Sequence, residues 1–242
     1  MLPALVPVTV VATLLAVDAG QLSPPTYDET IARLAAERSR LAARYSKAER
    51  RGERRRILSQ ARELLLEAID RELIPAWYGT PWEFYGASER PGEGTIACGY
   101  FVTTVLRDAG LRIERVRLAQ QASEHIVRTL TPAERVLRLK HQSNEQVVHR
   151  TRLLGDGLYV VGLDWHVGFL RIDGESARFC HSSYLGTKVV ACEDARSSGG
   201  MESGLHVVGD ALSEVRIVDW LLRRPIATSL PATRRRAGAS AQ

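Results

Sequence analysis

Cysteine is scarce in this chain: three among 242 residues, with no pair at C-x-x-C spacing. That excludes a fold built from disulfides and a thiolate zinc centre. Lysine is scarcer still for its class, 3 against 30 arginines. Long apolar runs are missing beyond the N-terminus, so no internal helix is expected to span a membrane. There is no GxxxxGK[ST] or GxGxxG loop to cradle a phosphate and no reactive carboxylate pair, so no cofactor is implied. What is present is ordinary: 45% hydrophobic and 25% charged residues, the composition of a globular protein rather than a disordered or collagenous one.

The formal net charge of +5 is local. Residues 33–62 hold 11 basic and 3 acidic side chains, a net of +8, so the remainder sums to −3. Within this stretch Arg50, Arg51, Arg54, Arg55 and Arg56 cluster. A solvated face explains such a cluster; contact with an anionic wall polymer or lipid headgroup is the functional alternative. No nucleic-acid partner is expected.

Leu2 to Val17 are almost all apolar, and Asp18 is the first charge. This pattern predicts a signal peptide over residues 1–19, atypical in lacking an N-terminal Lys or Arg, with cleavage after Ala19 and export to the periplasm, wall or exterior. A buried N-terminal strand or helix is the alternative. No cysteine follows, so no lipid anchor is expected.

Residues 20–74 read as an Arg-rich helical arm. Thr26 and Glu29 form a capping box. Ile31, Leu34, Leu41 and Tyr45 then recur at helical spacing. A second stripe holds Ile57, Ala61, Leu64, Leu65, Ala68, Ile69 and Leu73 and should stop before Pro75. The arm is two antiparallel helices or one bent one. A loop follows in which Trp77, Tyr78, Trp82, Phe84 and Tyr85 fall within nine positions, among glycines and prolines. Cys98 then opens a helix whose stripe is Phe101, Val102, Val105 and Leu106, closed by Gly110. Residues 118–150 read as two or three short helices, one opened by Pro132. From residue 157 the period becomes two, giving strands over 158–163, 166–172, 177–182, 188–192, 205–208 and 215–218. Asp173-Gly174 is a hairpin turn. The tail, 225–242, reads as disordered.

Three residues carry the chemistry. Cys98 sits at a helix start, where the macrodipole and free N–H groups favour a thiolate. His166 begins a strand, and His181 lies on its hairpin partner, opposite His166 or one residue away. A second imidazole can accept a proton from the first and fix its tautomer. The order is nucleophile, base, orienter. A zinc site from His166, His181 and Cys180 or a carboxylate is not expected, because Cys180 alternates with His181 onto the opposite sheet face. A turn near Leu185-Gly186 would set Cys180 across from Cys192. That pair is either a disulfide, leaving Cys98 free, or two reduced core cysteines.

These residues carry a family resemblance. WYGTPWEFYGASERPGEGTIACGYFVTTVLRDAGL, from Trp77 to Leu111, resembles the segment of NlpC/P60 cysteine peptidases running from G-x-P-Y-x-x-G-G into D-C-S-G-F. LLGDGLYVV, from Leu153, is similar to their P-G-D-L strand. HVGFLRIDGESARFCHSS, from His166, resembles their H-V-G-I-Y…H-A hairpin. The resemblance implies an α+β, papain-like domain over 75–224, with a helical insertion at 112–150. It also implies hydrolysis of peptide bonds in bacterial cell-wall peptides such as peptidoglycan stems. By it Cys98 is nucleophile, His166 base and His181 the third polar residue. The family's oxyanion tyrosine aligns with Trp82, with Tyr78 or Tyr85 as substitutes, beside the Cys98 backbone N–H. Ala97 and Gly99 stand where the family has Asp and Ser. These departures at Ala97, Gly99 and Trp82, with the Arg-rich arm, motivate one alternative, an inactive wall- or surface-binding module; a thiol-dependent acyltransferase or transamidase on the same scaffold is another.

Overall fold

A computed structural model describes residues 25–228. The expected signal peptide and residues 229–242 of the tail lie outside the described residues.

Helix α1 spans Tyr27–Lys47 and opens with the expected capping box. The Thr26 hydroxyl accepts from the Glu29 N–H at 3.3 Å, and the Glu29 carboxylate accepts from the Thr26 N–H at 2.8 Å. The chain turns over 48–50 into α2, Arg51–Ala68. The helix does not stop before Pro75. A π-helical turn, Ile69–Leu73, and a last turn, α3 (Ile74–Ala76), carry it through. Proline cannot donate to the preceding turn, and its ring crowds a carbonyl there; a widened turn accommodates both. The same turn places Asp70, 6% exposed, against Arg178 at 2.6 Å and Arg171 at 3.5 Å.

These helices are not a detached arm. Leu34, Leu41, Ile57, Ala61 and Leu65 belong to one apolar core with the sheet and the Cys98 helix. Tyr27 donates to Asp108 at 2.8 Å and accepts from the Trp77 indole at 3.1 Å. At roughly 1.5–3 kcal/mol per buried aliphatic side chain, this face is a large part of the domain's stability. The arginines at the α1–α2 turn point outward: residues 50–56 are exposed.

Helix α4 is Cys98–Asp108, as expected, and buries Phe101, Val102, Val105 and Leu106. It ends at Gly110, whose φ of +101° only glycine adopts readily and where a Cβ would lie 2.8 Å from the Trp220 indole. Strand β1 (Arg112–Ile113) follows, then α5 (Arg115–Ala119) and α6 (Ser123–Leu130). Pro132 opens only a 3-10 turn, Ala133–Arg135. The insertion is not all helical: Leu137–Lys140 forms strand β2, before α7, Asn144–Arg152.

The C-terminal half is a strand meander. β3 (Gly157–Gly162), β4 (Val167–Asp173), β5 (Ser176–Ser182), β6 (Val190–Asp194) and β7 (Leu205–Asp210) join β2 in a six-stranded antiparallel sheet, ordered β2-β7-β3-β4-β5-β6. Residues 215–218 were expected as a strand; they lie in α8, Glu214–Leu221. The buried set there is Ile217, Trp220 and Leu221, which is helical spacing. The start of the tail is ordered: β8, Pro225–Ile226, pairs in parallel with β1. The chain is thus mixed α+β. One sheet face, with Val160, Val167, Phe169 and Cys180, meets the core that holds α4; the other carries Val161, Leu170 and Phe179. Among the described residues no helix is long and apolar enough to cross a membrane.

Candidate active site

Cys98 is the first residue of α4 and packs against the main core. The loop before it is held to the sheet. The Ile96 N–H donates to the Pro81 carbonyl at 2.9 Å, the Ala97 N–H to Gly86 at 2.8 Å, and the Ser182 hydroxyl to Ile96 at 2.6 Å. Ala97, at the N-cap, makes no side-chain cap. Gly99 has a packing cause: a Cβ there would lie 2.4 Å from the Ala119 carbonyl oxygen. The serine of the family pattern is excluded because the end of α5 lies on the first turn of α4.

His166 precedes β4. Its carbonyl accepts from the Leu163 N–H at 2.8 Å, closing a tight turn. Asp164 anchors that turn, accepting from the Ser203 hydroxyl and the Gly204 N–H, each at 2.8 Å. The hairpin register pairs Phe169 with Cys180, which sets His181 across from Gly168 and diagonal to His166 on the same face. The rings meet: His166 Nε2 lies 2.7 Å from His181 Nδ1. A Cβ on Gly168 would fall 2.6 Å from the Phe179 ring, and one on Gly200 2.4 Å from His181. Both glycines leave the room that this buried layer fills.

Beyond the expected three residues stands a fourth. His181 Nε2 lies 3.1 Å from Glu193 Oε1, which also accepts from the Ser198 hydroxyl at 2.5 Å. The acceptor fixes the tautomers in sequence. A carboxylate only accepts, so His181 Nε2 carries its proton. His181 Nδ1 is then a lone pair, and His166 Nε2 donates to it. That leaves His166 Nδ1 as the free base, and it is buried with no partner.

Cys98 and His166 line one cavity of about 930 Å³. Six of the side chains around it are aromatic: Trp82, Phe84, Tyr85, Tyr100, Trp165 and Tyr184. Trp82 and Tyr85 therefore sit where substrate-lining residues were expected. Tyr78 does not. Its hydroxyl contacts Cys192 Sγ at 3.0 Å, outside the cavity lining. The aromatic loop runs from the buried core at Trp77 to the cavity at Trp82, and Tyr78 is exposed beside the Cys180–Cys192 pair. Gln120 and Gln121 of the insertion complete the wall. A second cavity, about 720 Å³, lies between α1 and the C-terminal end of α4, and among the described residues no cysteine, serine or histidine lines it.

Burial decides the resting charges. It pushes the Cys98 thiol up, against the backbone N–H groups of Val167, Gly99 and Cys98 itself. It also lowers His166 to about 3, helped by the neighbouring His181. His181 is lowered by burial too, with Glu193 opposing. The thiolate expected from the helix terminus is thus not the resting form: desolvation outweighs the macrodipole. Thiol and imidazole rest neutral in this cavity.

Cys180 and Cys192 form a disulfide, directly opposite each other on β5 and β6, and Cys98 is the free cysteine. Among the described residues no group of three His, Cys, Asp or Glu side chains is placed to hold a metal ion. Comparison with protein-family models, curated proteins and solved structures finds no match to this chain.

Proposed function

We propose that this chain is an exported cysteine hydrolase with a papain-like catalytic domain, cleaving amide bonds through a thioacyl intermediate. The observation that carries the reading is the relay itself. A free cysteine at a helix start shares a cavity with a histidine whose one unpaired nitrogen is its base, and whose other nitrogen is tied to His181 and Glu193. His166 Nδ1 takes the thiol proton as Sγ attacks the carbonyl carbon. The proton then passes to the leaving amine, and water attacks the thioester by the same route. The Cys98 N–H supplies one oxyanion donor. Bacterial cell-wall peptides are the substrate that the NlpC/P60 resemblance implies. The Cys180–Cys192 disulfide supports an oxidising compartment. The exposed arginines of the α1–α2 turn would hold the enzyme to an anionic polymer or lipid surface.

The inactive-module alternative is weakened at Gly99, where the departure from the family pattern follows from Ala119 rather than from lost chemistry. The test is product mass from purified wall peptides. Hydrolysis yields two products whose masses sum to substrate plus water, and transfer to an amine does not. Cys98→Ala and His166→Ala should both be silent; cleavage that survives in Cys98→Ala refutes the reading.

A further inference from the structure

Among the described residues, the walls of the Cys98 cavity hold no Asp, Glu, Lys or Arg. One residue in four of this chain is charged, so a lining of this size would ordinarily include about three. Its two side-chain amides each have an N–H engaged within the protein. The Gln120 amide donates to the Tyr100 hydroxyl at 3.1 Å, and the Gln121 amide to the Arg117 carbonyl at 2.9 Å. Meanwhile large aromatic surface stands in solvent at the mouth: Trp165 is 93% exposed, Tyr85 88% and Phe84 72%. Grouped apolar exposure of this kind marks a ligand surface, and the volume suits a small-molecule site.

We infer that the acyl group delivered to Cys98 is neutral and apolar, an aliphatic or aryl chain lying along Trp82, Phe84, Tyr85 and Trp165. The inference rests on the cysteine-hydrolase reading for its chemistry but departs from the wall peptide as substrate. A stem peptide brings free carboxylates, and the cavity offers no cation to meet them. A sugar brings many hydroxyls, and the two side-chain amides of the lining each have an N–H already engaged within the protein. A hydrocarbon chain needs neither.

The reaction on such an ester or amide balances without a co-reactant. Cys98 Sγ bonds to the acyl carbon, its proton moves to His166 Nδ1, and the bond to the leaving oxygen or nitrogen breaks as that atom takes the proton. Water then adds, giving its proton to His166. The C–S bond breaks, and the thiol is restored with release of the free acid.

The test uses the full chain and p-nitrophenyl esters of acetate, butyrate, hexanoate and octanoate, with the monoadipate as a six-carbon acyl group ending in a carboxylate. The readouts are kcat/KM from nitrophenol release and the intact mass of the acylated protein, with Cys98→Ala as blank. A buried methylene is worth about 0.8 kcal/mol, or roughly fourfold. The rate should therefore climb about fourfold per carbon along the series. The adipate should fall at least about tenfold below hexanoate. Trp165→Ala, a change at an exposed position, should flatten the series. A flat series, or adipate equal to hexanoate, overturns the substrate class while leaving the catalytic reading intact. No Cys98-dependent acylation from any ester overturns both.

Discussion

The neutral state of His166 has a consequence for stability that can be measured without a substrate. The imidazole is 3% exposed and is lowered from an ordinary value of 6.5 to about 3. The unfolded chain takes up a proton near pH 6.5 that the folded site refuses. Stability is therefore fully present above pH 6.5 and is lost as the pH falls toward 3, at about 1.4 kcal/mol per pH step. By pH 5 the loss from this one group is about 2 kcal/mol, before most carboxylates titrate. Urea unfolding at pH 7.5, 6 and 5 reads it directly. With an m-value of roughly 2–3 kcal/mol/M, the midpoint should drop by roughly 0.7–1 M. His166→Asn removes the titrating group and should lose that much less over the same range, whatever its baseline stability. Equal pH dependence in the two proteins would refute the argument. The opposite slope, with wild type gaining on the variant in acid, would show a folded imidazolium. Cys98 would then rest as a thiolate beside it, as the helix terminus alone suggests.

Three further outcomes follow from particular contacts. Glu193→Gln keeps the shape but gives His181 Nε2 an amide in place of an obligate acceptor, so turnover should fall at least about tenfold with circular dichroism unchanged; full activity would remove Glu193 from the relay. Gly99→Ser forces a Cβ against the Ala119 carbonyl and should cost about 1–3 kcal/mol. At roughly 2–4 °C per kcal/mol for a chain of this size that is a drop in Tm of about 2–12 °C; an unchanged Tm would deny the close approach of α5. Replacing Cys180 and Cys192 together by serine should cost about 3 kcal/mol, the loop-closure value for a bridge spanning 12 residues. A reducing agent should bring wild type down to the same midpoint and leave the double variant unmoved.

The parts of the site that could be read from sequence are those set by local spacing. A cysteine ahead of an apolar helix stripe, and two histidines flanking an Asp-Gly turn, fix their relative placement through helix and hairpin geometry alone. Glu193 was within reach of the same reasoning. Setting Cys180 against Cys192 puts the next residue beside Phe179 and on the face of His181, but the pairing had to be extended one residue to see it. The lining residues Trp165 and Tyr184 give no local signal; they meet Cys98 only through the tertiary fold. The same holds for β2. Its four residues, LRLK, alternate in character and in burial, but they lie between helices and pair with β7 from the far side of the insertion, so the short period does not stand out. The sequence VRIV read as alternation because its helical partners, Trp220 and Leu221, lie just beyond it. Pro75 misled for a different reason: a π turn ahead of it does what an α turn cannot.

The disulfide has a meaning beyond the energy it adds. β6 lies at one edge of the sheet, and beyond β5 its backbone is bonded at Val190, to Gly79 and Thr80; edge strands are among the first parts of a sheet to open. Its bond to β5 is welded at Cys180–Cys192, the pair whose next residues along the chain are His181 and Glu193. The bridge is thus a clasp on the far end of the proton relay. Without it, the strand carrying Glu193, the carboxylate that dictates which nitrogen of His166 is free, is held to β5 by backbone hydrogen bonds alone. In the proposed enzyme, oxidation of these two cysteines would therefore fix the last member of the relay before any turnover.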